Sequence, residues 1–246
     1  GARGSALLYD VPGARIDTAG RGPHPFGTGP WRAPGANMNI FAIESQIDLM
    51  ASAAGADPVE FRLRHLRDER MRRALRAAAD AFGWQPAAAP SRRGFGVACG
   101  LDAGTCVASI AQVRVDADRG VVVVPRIVCA QDMGIVVNPL GAKMQIEGGL
   151  AMGLGYVLSE ELRFRGGEIL DRNFDTYDIT RFATAPRVEA VLVYNRELAP
   201  RGGGEPSITT TGAVVANAFF DATGVRLYRL PMTPERIRRA LAPRQW

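Results

Sequence analysis

Glu205 stands at the end of the segment Arg201-Gly202-Gly203-Gly204-Glu205-Pro206. Three glycines free the backbone of side-chain bulk, and Pro206 stiffens the exit. A fixed carboxylate at the end of such a loop suits a general base facing a tight pocket. A surface turn with a solvated glutamate has the same spacing, so this segment alone leaves both readings open. Two more segments carry residues of comparable interest. Gly29-Pro30-Trp31-Arg32-Ala33-Pro34-Gly35 sets one arginine in a loop of glycine and proline. Asp132-Met133-Gly134 leads through Asn138-Pro139 to Gln145-Ile146-Glu147-Gly148-Gly149 and Met152-Gly153-Leu154-Gly155. The Gln145 amide donates and accepts hydrogen bonds at once, as a polar cofactor requires. Its plain alternative is a solvated helix glutamine, and that of Arg32 a surface-loop arginine. Glu147 reads as a structural hydrogen-bonding residue rather than a second base.

These residues need elements to hold them. Ile40, Ile43, Ile47, Met50 and Ala54 follow a helical period, predicting a helix over about 37–54 that Gly55 ends. Asp57-Pro58 with Glu60 is a helix start, and a third helix is expected over about 71–82, closed by Gly83. The arginines between Arg62 and Arg76 are interleaved with acids, the pattern of a solvated helix face or a subunit contact. After an Ala/Pro-rich linker at 85–93 the period changes to two. Val107 to Val115 reads as a half-buried strand, with a turn at 116–120 and a return strand from Val121. Pro125 predicts that this return strand lies at an edge or breaks there. Asn138-Pro139 starts a helix to about Leu158, in which five glycines mark either tight helix packing or close approach of a ligand. A strand over 188–194, a helix over 212–223 and a final helix capped by Thr233 complete the reading. Helices grouped first and then mixed with strands argue for an α+β fold.

With 246 residues, 47% hydrophobic and 22% charged, the chain has the composition of a globular protein with a sizeable core. No apolar run approaches the ~20 residues of a membrane span. The net charge of +5 rests on arginine, Lys143 being the single lysine, but the signs alternate and aromatics do not interleave, which argues against nucleic acid. Cys99, Cys106 and Cys129 are odd in number and form no C-x-x-C pair, so neither a zinc site nor an iron–sulfur site is indicated. Cys129 reads as core filler. His24 and His65 are too far apart to suggest a metal cluster, and His65 reads as a surface residue. The start, Gly1-Ala2-Arg3-Gly4, has no initiator methionine and no apolar signal core; a fragment, a processed chain or a separately encoded piece is the expectation.

Taken in order, the three motifs resemble the molybdopterin-binding large subunit of the xanthine dehydrogenase and aldehyde oxidase family. The Gly-x-Trp-Arg-x-Pro-Gly form points to the isoquinoline 1-oxidoreductase beta-subunit branch. The likeness runs from about Gly27 to Leu241 and matches the C-terminal third of the family's large chain. It implies an end of the first molybdopterin-binding subdomain at 1–90 and a second subdomain at 91–246, with a mixed sheet and packed helices. It implies a molybdenum–molybdopterin cofactor, in the cytosine dinucleotide form, and iron–sulfur clusters on a partner subunit. The reaction implied is hydroxylation of an aldehyde or N-heterocycle with water-derived oxygen. Glu205 matches the family's base, Gln145 and Arg32 its cofactor-contacting residues, and Gly204 its glycine loop; no side chain of this chain is implied as a metal ligand. A carboxylate serves best as such a base when partial burial lifts its pKa towards neutrality. The family's Gly-Gly-Gly-Phe-Gly and Gly-x-Gly-Gln-Gly loops are absent, so a further chain or segment carrying the N-terminal part is expected as a partner, and the chain alone is expected to be inactive. A scaffold or relic of the same fold is the alternative. Cytoplasmic and periplasmic locations in a bacterium are both compatible with the resemblance.

Overall fold

The computed structural model describes residues 2–13, 15–17 and 26–242; the expectation made for His24 lies outside them. Helix α1 spans Ala36–Ala53, α2 Pro58–His65 and α3 Glu69–Phe82. Their ends follow local chemistry. Asp57 Oδ1 accepts the amides of Val59 and Glu60, both at 2.9 Å, and so satisfies two donors that the first turn leaves free. Asp68 does the same for Arg70, which starts α3 two residues earlier than the apolar pattern indicates. Gly83 closes α3 in the left-handed region, φ 75°.

Strands β1 (Phe95–Asp102), β2 (Thr105–Asp116) and β3 (Val121–Asp132) form an antiparallel meander. Helix α4 (Pro139–Leu158), a small hairpin of β4 (Phe164–Arg165) and β5 (Glu168–Ile169), and a long loop follow. The chain then returns as β6 (Arg187–Leu192), parallel to β3, giving the order β1-β2-β3-β6. Helices α5 (Pro206–Thr209), α6 (Thr211–Thr223) and α7 (Pro234–Leu241) end the fold. It is the α+β mixed-sheet class that the sequence predicts.

Both faces of the sheet are covered. Tyr9 and α1–α3 pack on one face through Ile47, Leu75, Val97, Ala108 and Val128. On the other, Ile146, Leu150 and Leu154 of α4 and Val215 and Phe219 of α6 pack on Val107, Ile127 and Cys129. Cys129 is thus core filler, and all three cysteines are free and buried. Burial pushes the Cys106 and Cys129 thiols up to about 12.

Double coverage corrects the expectation for β2 and explains why the sequence hides β1. The first seven residues of β2 are all buried, so it is not a half-buried strand. Strand β1 has no alternation to betray it, because its neighbours on both sides are apolar. Gly96 within it is required by contact: a Cβ there would lie 2.2 Å from the Val214 carbonyl of α6. At Pro125 the strand runs on without a break, and on the β6 side it is locally an edge, one of the two outcomes expected. A bulge between Gln112 and Arg114 absorbs one extra residue of β3, and β6 pairs only from Arg126 onwards, so no partner needs the missing amide.

Arg62 is a further correction. It is wholly buried, not part of a solvated face. Its guanidinium donates to Glu44 Oε2 at 2.9 Å, to Asp48 at 3.3 Å and to the carbonyls of Pro58 and Glu44. Arg226 completes the cluster on Asp48 at 2.8 Å. A buried charge is tolerable when so fully paired. His65 is only half-buried, its Nδ1 bonded to the Phe61 carbonyl at 2.8 Å.

Candidate active site

The turn at Trp31–Gly35 precedes α1. Ala33 is fully buried and holds φ 59°, a conformation unusual for a residue with a side chain. The turn is fixed by Asn37 Nδ2, which donates to the Arg32 carbonyl at 2.8 Å. This geometry turns the Ala33 amide outward and sends the Arg32 side chain across the molecule.

Arg32 Nε donates to the Gly204 carbonyl at 2.8 Å, and Nη2 reaches the same oxygen. Nη2 also donates to Gln145 Oε1 at 3.0 Å and to the Gln145 carbonyl at 3.3 Å. Gln145 sits on the exposed side of α4. Its amide nitrogen makes no hydrogen bond among the described residues, so its donors remain available. Arg32 is therefore a clamp between loop and helix rather than a surface arginine.

Three further hydrogen bonds hold the glycine loop. The Arg201 amide donates to the Met133 carbonyl beyond β3 at 2.9 Å. The Gly202 amide donates to Ala103 at the β1–β2 turn, and Thr105 Oγ1 to the Gly202 carbonyl at 2.7 Å. A Cβ on Gly202 would lie 2.6 Å from that of Ala103, so only glycine fits. Gly203 and Gly204 are less crowded; Gln145 Oε1, at 3.6 Å, is the nearest atom to a Cβ on Gly204. From the other side, Gly149 and Gly153 bring α4 against Ser207 and Thr211, where added Cβ atoms would lie 2.1 and 2.5 Å from the hydroxyls. Helix packing thus accounts for these two glycines. Gly148 has nothing within 4 Å.

Glu205 closes the loop. Its Oε1 accepts the Ala33 amide at 2.8 Å and its Oε2 accepts Arg3 Nη2 at 2.6 Å. Arg3 in turn grips buried Asp102 with two bonds, at 2.7 and 2.8 Å. The Arg3 hydrogen bond, and after it the Ala33 amide, hold the Glu205 carboxyl below its ordinary range, against the opposing push of burial. This reverses the expected lift towards neutrality, because the side chain is 38% exposed and bonded in its charged form. At neutral pH the group is a carboxylate ready to accept a proton.

All four predicted site residues, Arg32, Gln145, Gly204 and Glu205, therefore meet in one hydrogen-bonded cluster. Sequence reasoning missed Arg3, which no local pattern marks, and the Ala33 amide, which only the left-handed turn presents. Glu147 corrects its expectation: it is exposed and makes no side-chain hydrogen bond among the described residues. No group of three or more His, Cys, Asp or Glu among the described residues is placed to hold a metal ion. Beyond the Ala33–Pro34 turn opens a cavity of about 510 Å³ walled by Trp31, Phe41, Tyr156, Tyr177 and Tyr228. In it the Tyr177 hydroxyl donates to Glu160 at 3.0 Å. Burial raises the Glu160 carboxyl, and burial followed by that neighbour pushes Tyr177 up to about 12.

Residues 102–186 match the molybdopterin cofactor-binding domain. The chain is 36% identical over 226 residues to the B subunit of nicotinate dehydrogenase from Pseudomonas putida, covering 85% of this chain and 19% of that protein. It is 33% identical over 236 residues to the beta subunit of isoquinoline 1-oxidoreductase from Brevundimonas diminuta, covering 94% and 30%. In fold it is similar to the aldehyde oxidoreductase of Desulfovibrio desulfuricans, with a TM-score of 0.74 at 16% identity, over 87% of this chain and 41% of that one. The chain thus spans less than a third of the length of these two curated relatives. With cofactor-binding domain, motif order and fold in agreement, the chain belongs to the molybdopterin-binding subunits of the xanthine dehydrogenase and aldehyde oxidase family.

Proposed function

We propose that this chain forms the base-bearing part of a molybdenum hydroxylase acting on an aldehyde or an N-heterocycle. The observation that carries the proposal is the convergence of Arg32, Gln145, Gly204 and Glu205 on one cluster. The cluster fits a pterin cofactor: Gln145 leaves its amide donors free, and Gly204 leaves its side of the loop uncrowded. When bound, molybdenum–molybdopterin supplies two-electron redox chemistry and a water-derived oxygen for the substrate carbon. Gln145 would hold the cofactor, and Arg32 would fix Gln145 against Gly204. Glu205 would accept a proton at a carboxylate oxygen as the general base for that chemistry. Arg3 would keep Glu205 ionised, and the Ala33 amide would set its rotamer.

The resemblance supports the cytosine dinucleotide form of the cofactor, an iron–sulfur partner subunit, two subdomains divided near residue 90, and inactivity without the complementary polypeptide. One observation favours a second reading, a non-catalytic scaffold: Arg3 already occupies Oε2 of Glu205. Glu205→Gln separates the two in the complex purified from its native host. The enzyme reading expects unchanged molybdenum content with turnover reduced by roughly 10²–10⁴-fold, the usual worth of a general base. Unchanged turnover, or a native complex without molybdenum, would refute it.

A further inference from the structure

Helix α4 has two apolar sides. Ile146, Leu150 and Leu154 face the core. On the opposite side Leu140, Met144, Gly148 and Met152 form one i+4 row, a ridge along the helix; the row continues to Tyr156, itself packed against the core. Leu140 is 71% exposed and Met144 60%. The ridge has a notch at Gly148, where even a Cβ would touch nothing. A mid-helix glycine costs about 1 kcal/mol against alanine, and no contact within the described residues accounts for this one.

At Tyr156 the ridge runs into the aromatic cavity, whose rim carries Tyr228, 73% exposed. On its wall Asn37 is 8% exposed, yet its Oδ1 is buried without a hydrogen-bond partner. A buried acceptor left unmet is costly, which calls for a donor from outside. Ridge and cavity together make one apolar surface larger than scattered exposed residues account for. A small ligand fills a concavity, but it would leave the convex ridge bare. A polypeptide covers both, its side chains in the notch and cavity and an N–H on Asn37.

We propose that this surface, from Leu140 through Tyr156 to Tyr228, is where the polypeptide equivalent to the rest of the relatives' molybdopterin-binding subunit docks. Two findings select that occupant over a second copy. The chain accounts for only 19% and 30% of the two relatives' lengths, so most of the relatives' fold lies outside it. Gln145 also follows Met144 on the exposed part of α4, so the occupant borders the candidate active site. The inference rests on the function proposed above for the family assignment of the partner.

A photo-crosslinking phenylalanine analogue at Met144 or Tyr228, in the native host, tests it. The cross-linked peptides should map to sequence that aligns with the relatives' unmatched part, whether in the same polypeptide or another. Links only to a second copy of this chain, or a cavity holding a small molecule with no peptide links, would overturn it. Gly148→Arg supplies the second measurement. Its side chain starts in open space, so the melting temperature should hold, while a charge in the apolar interface should cut cross-linking by on the order of tenfold or more. Undiminished cross-linking with Gly148→Arg would also overturn it. The outcomes are separable: cross-links without molybdenum would sink the enzyme reading alone, and molybdenum without cross-links the docking surface alone.

Discussion

Replacing Arg32 by alanine should loosen the glycine loop while leaving the core intact. Arg32 makes two bonds to the Gly204 carbonyl and one to Gln145 Oε1, from a part-buried position. Hydrogen bonds from a charged donor contribute about 1.5–3 kcal/mol net. Because the guanidinium is partly solvated, the lower half of that range applies, and 1.4 kcal/mol is about a factor of ten in an equilibrium. The opening equilibrium of the loop should therefore rise by roughly 10–40-fold. Amide hydrogen exchange reads this directly. The Gly202 amide, bonded to Ala103, and the Ile208 amide, bonded to Glu205, flank the clamp and should exchange faster by that factor. Amides deep in β3, such as Val128, should not change. Arg32→Lys should fall between, since one ammonium cannot reproduce a planar fork that reaches two acceptors. Unchanged exchange at Gly202 and Ile208 in Arg32→Ala would refute the clamp, and acceleration throughout the sheet would show that Arg32 supports the whole fold instead.

Arg3→Met should move the pH dependence. Arg3 is the leading cause of the lowered Glu205 pKa, so its loss raises that pKa. The base works only when ionised, so turnover falls as pH drops through the pKa, and this acid limb should shift to higher pH; an unshifted limb in pH–rate profiles would contradict it. Gly153→Val should destabilise by about 1–3 kcal/mol or more, because its Cβ meets Thr211 Oγ1 at 2.5 Å. Gly148→Ala, in open space, should instead gain up to about 1 kcal/mol, and paired thermal melts check both. Arg62→Met should cost about 3–5 kcal/mol by leaving Glu44 and Asp48 buried without their cation, lowering the melting temperature by roughly 6–20 °C.

Much of this was readable before the fold. Asp57, Asn138 and Thr233 each cap the helix predicted from an Asx or Thr before proline, because capping is local chemistry. Glu205, Gln145 and Arg32 were legible through their motifs. What was not legible depends on contacts distant in sequence. Strand β1 hides because burial on both faces erases the alternation that marks a strand. Arg62 looked solvated because its acids, Glu44 and Asp48, lie on another helix. Arg3 reaches Glu205 across 202 residues, and no spacing rule spans that.

The clamp also has a consequence for timing. Arg32 meets Gln145 across 113 residues and Gly204 across 172. Closing a loop of the latter length costs about 4–5 kcal/mol of chain entropy beyond a constant, more than the clamp's own bonds return. The sheet and its flanking helices must bear that cost, so the cluster cannot precede them. During synthesis the Arg32–Gly204 bonds and the Glu205 carboxylate cannot join the site before the segment 201–206 has emerged and packed. Any ligand that needs the whole cluster can therefore bind only after this part of the fold has packed.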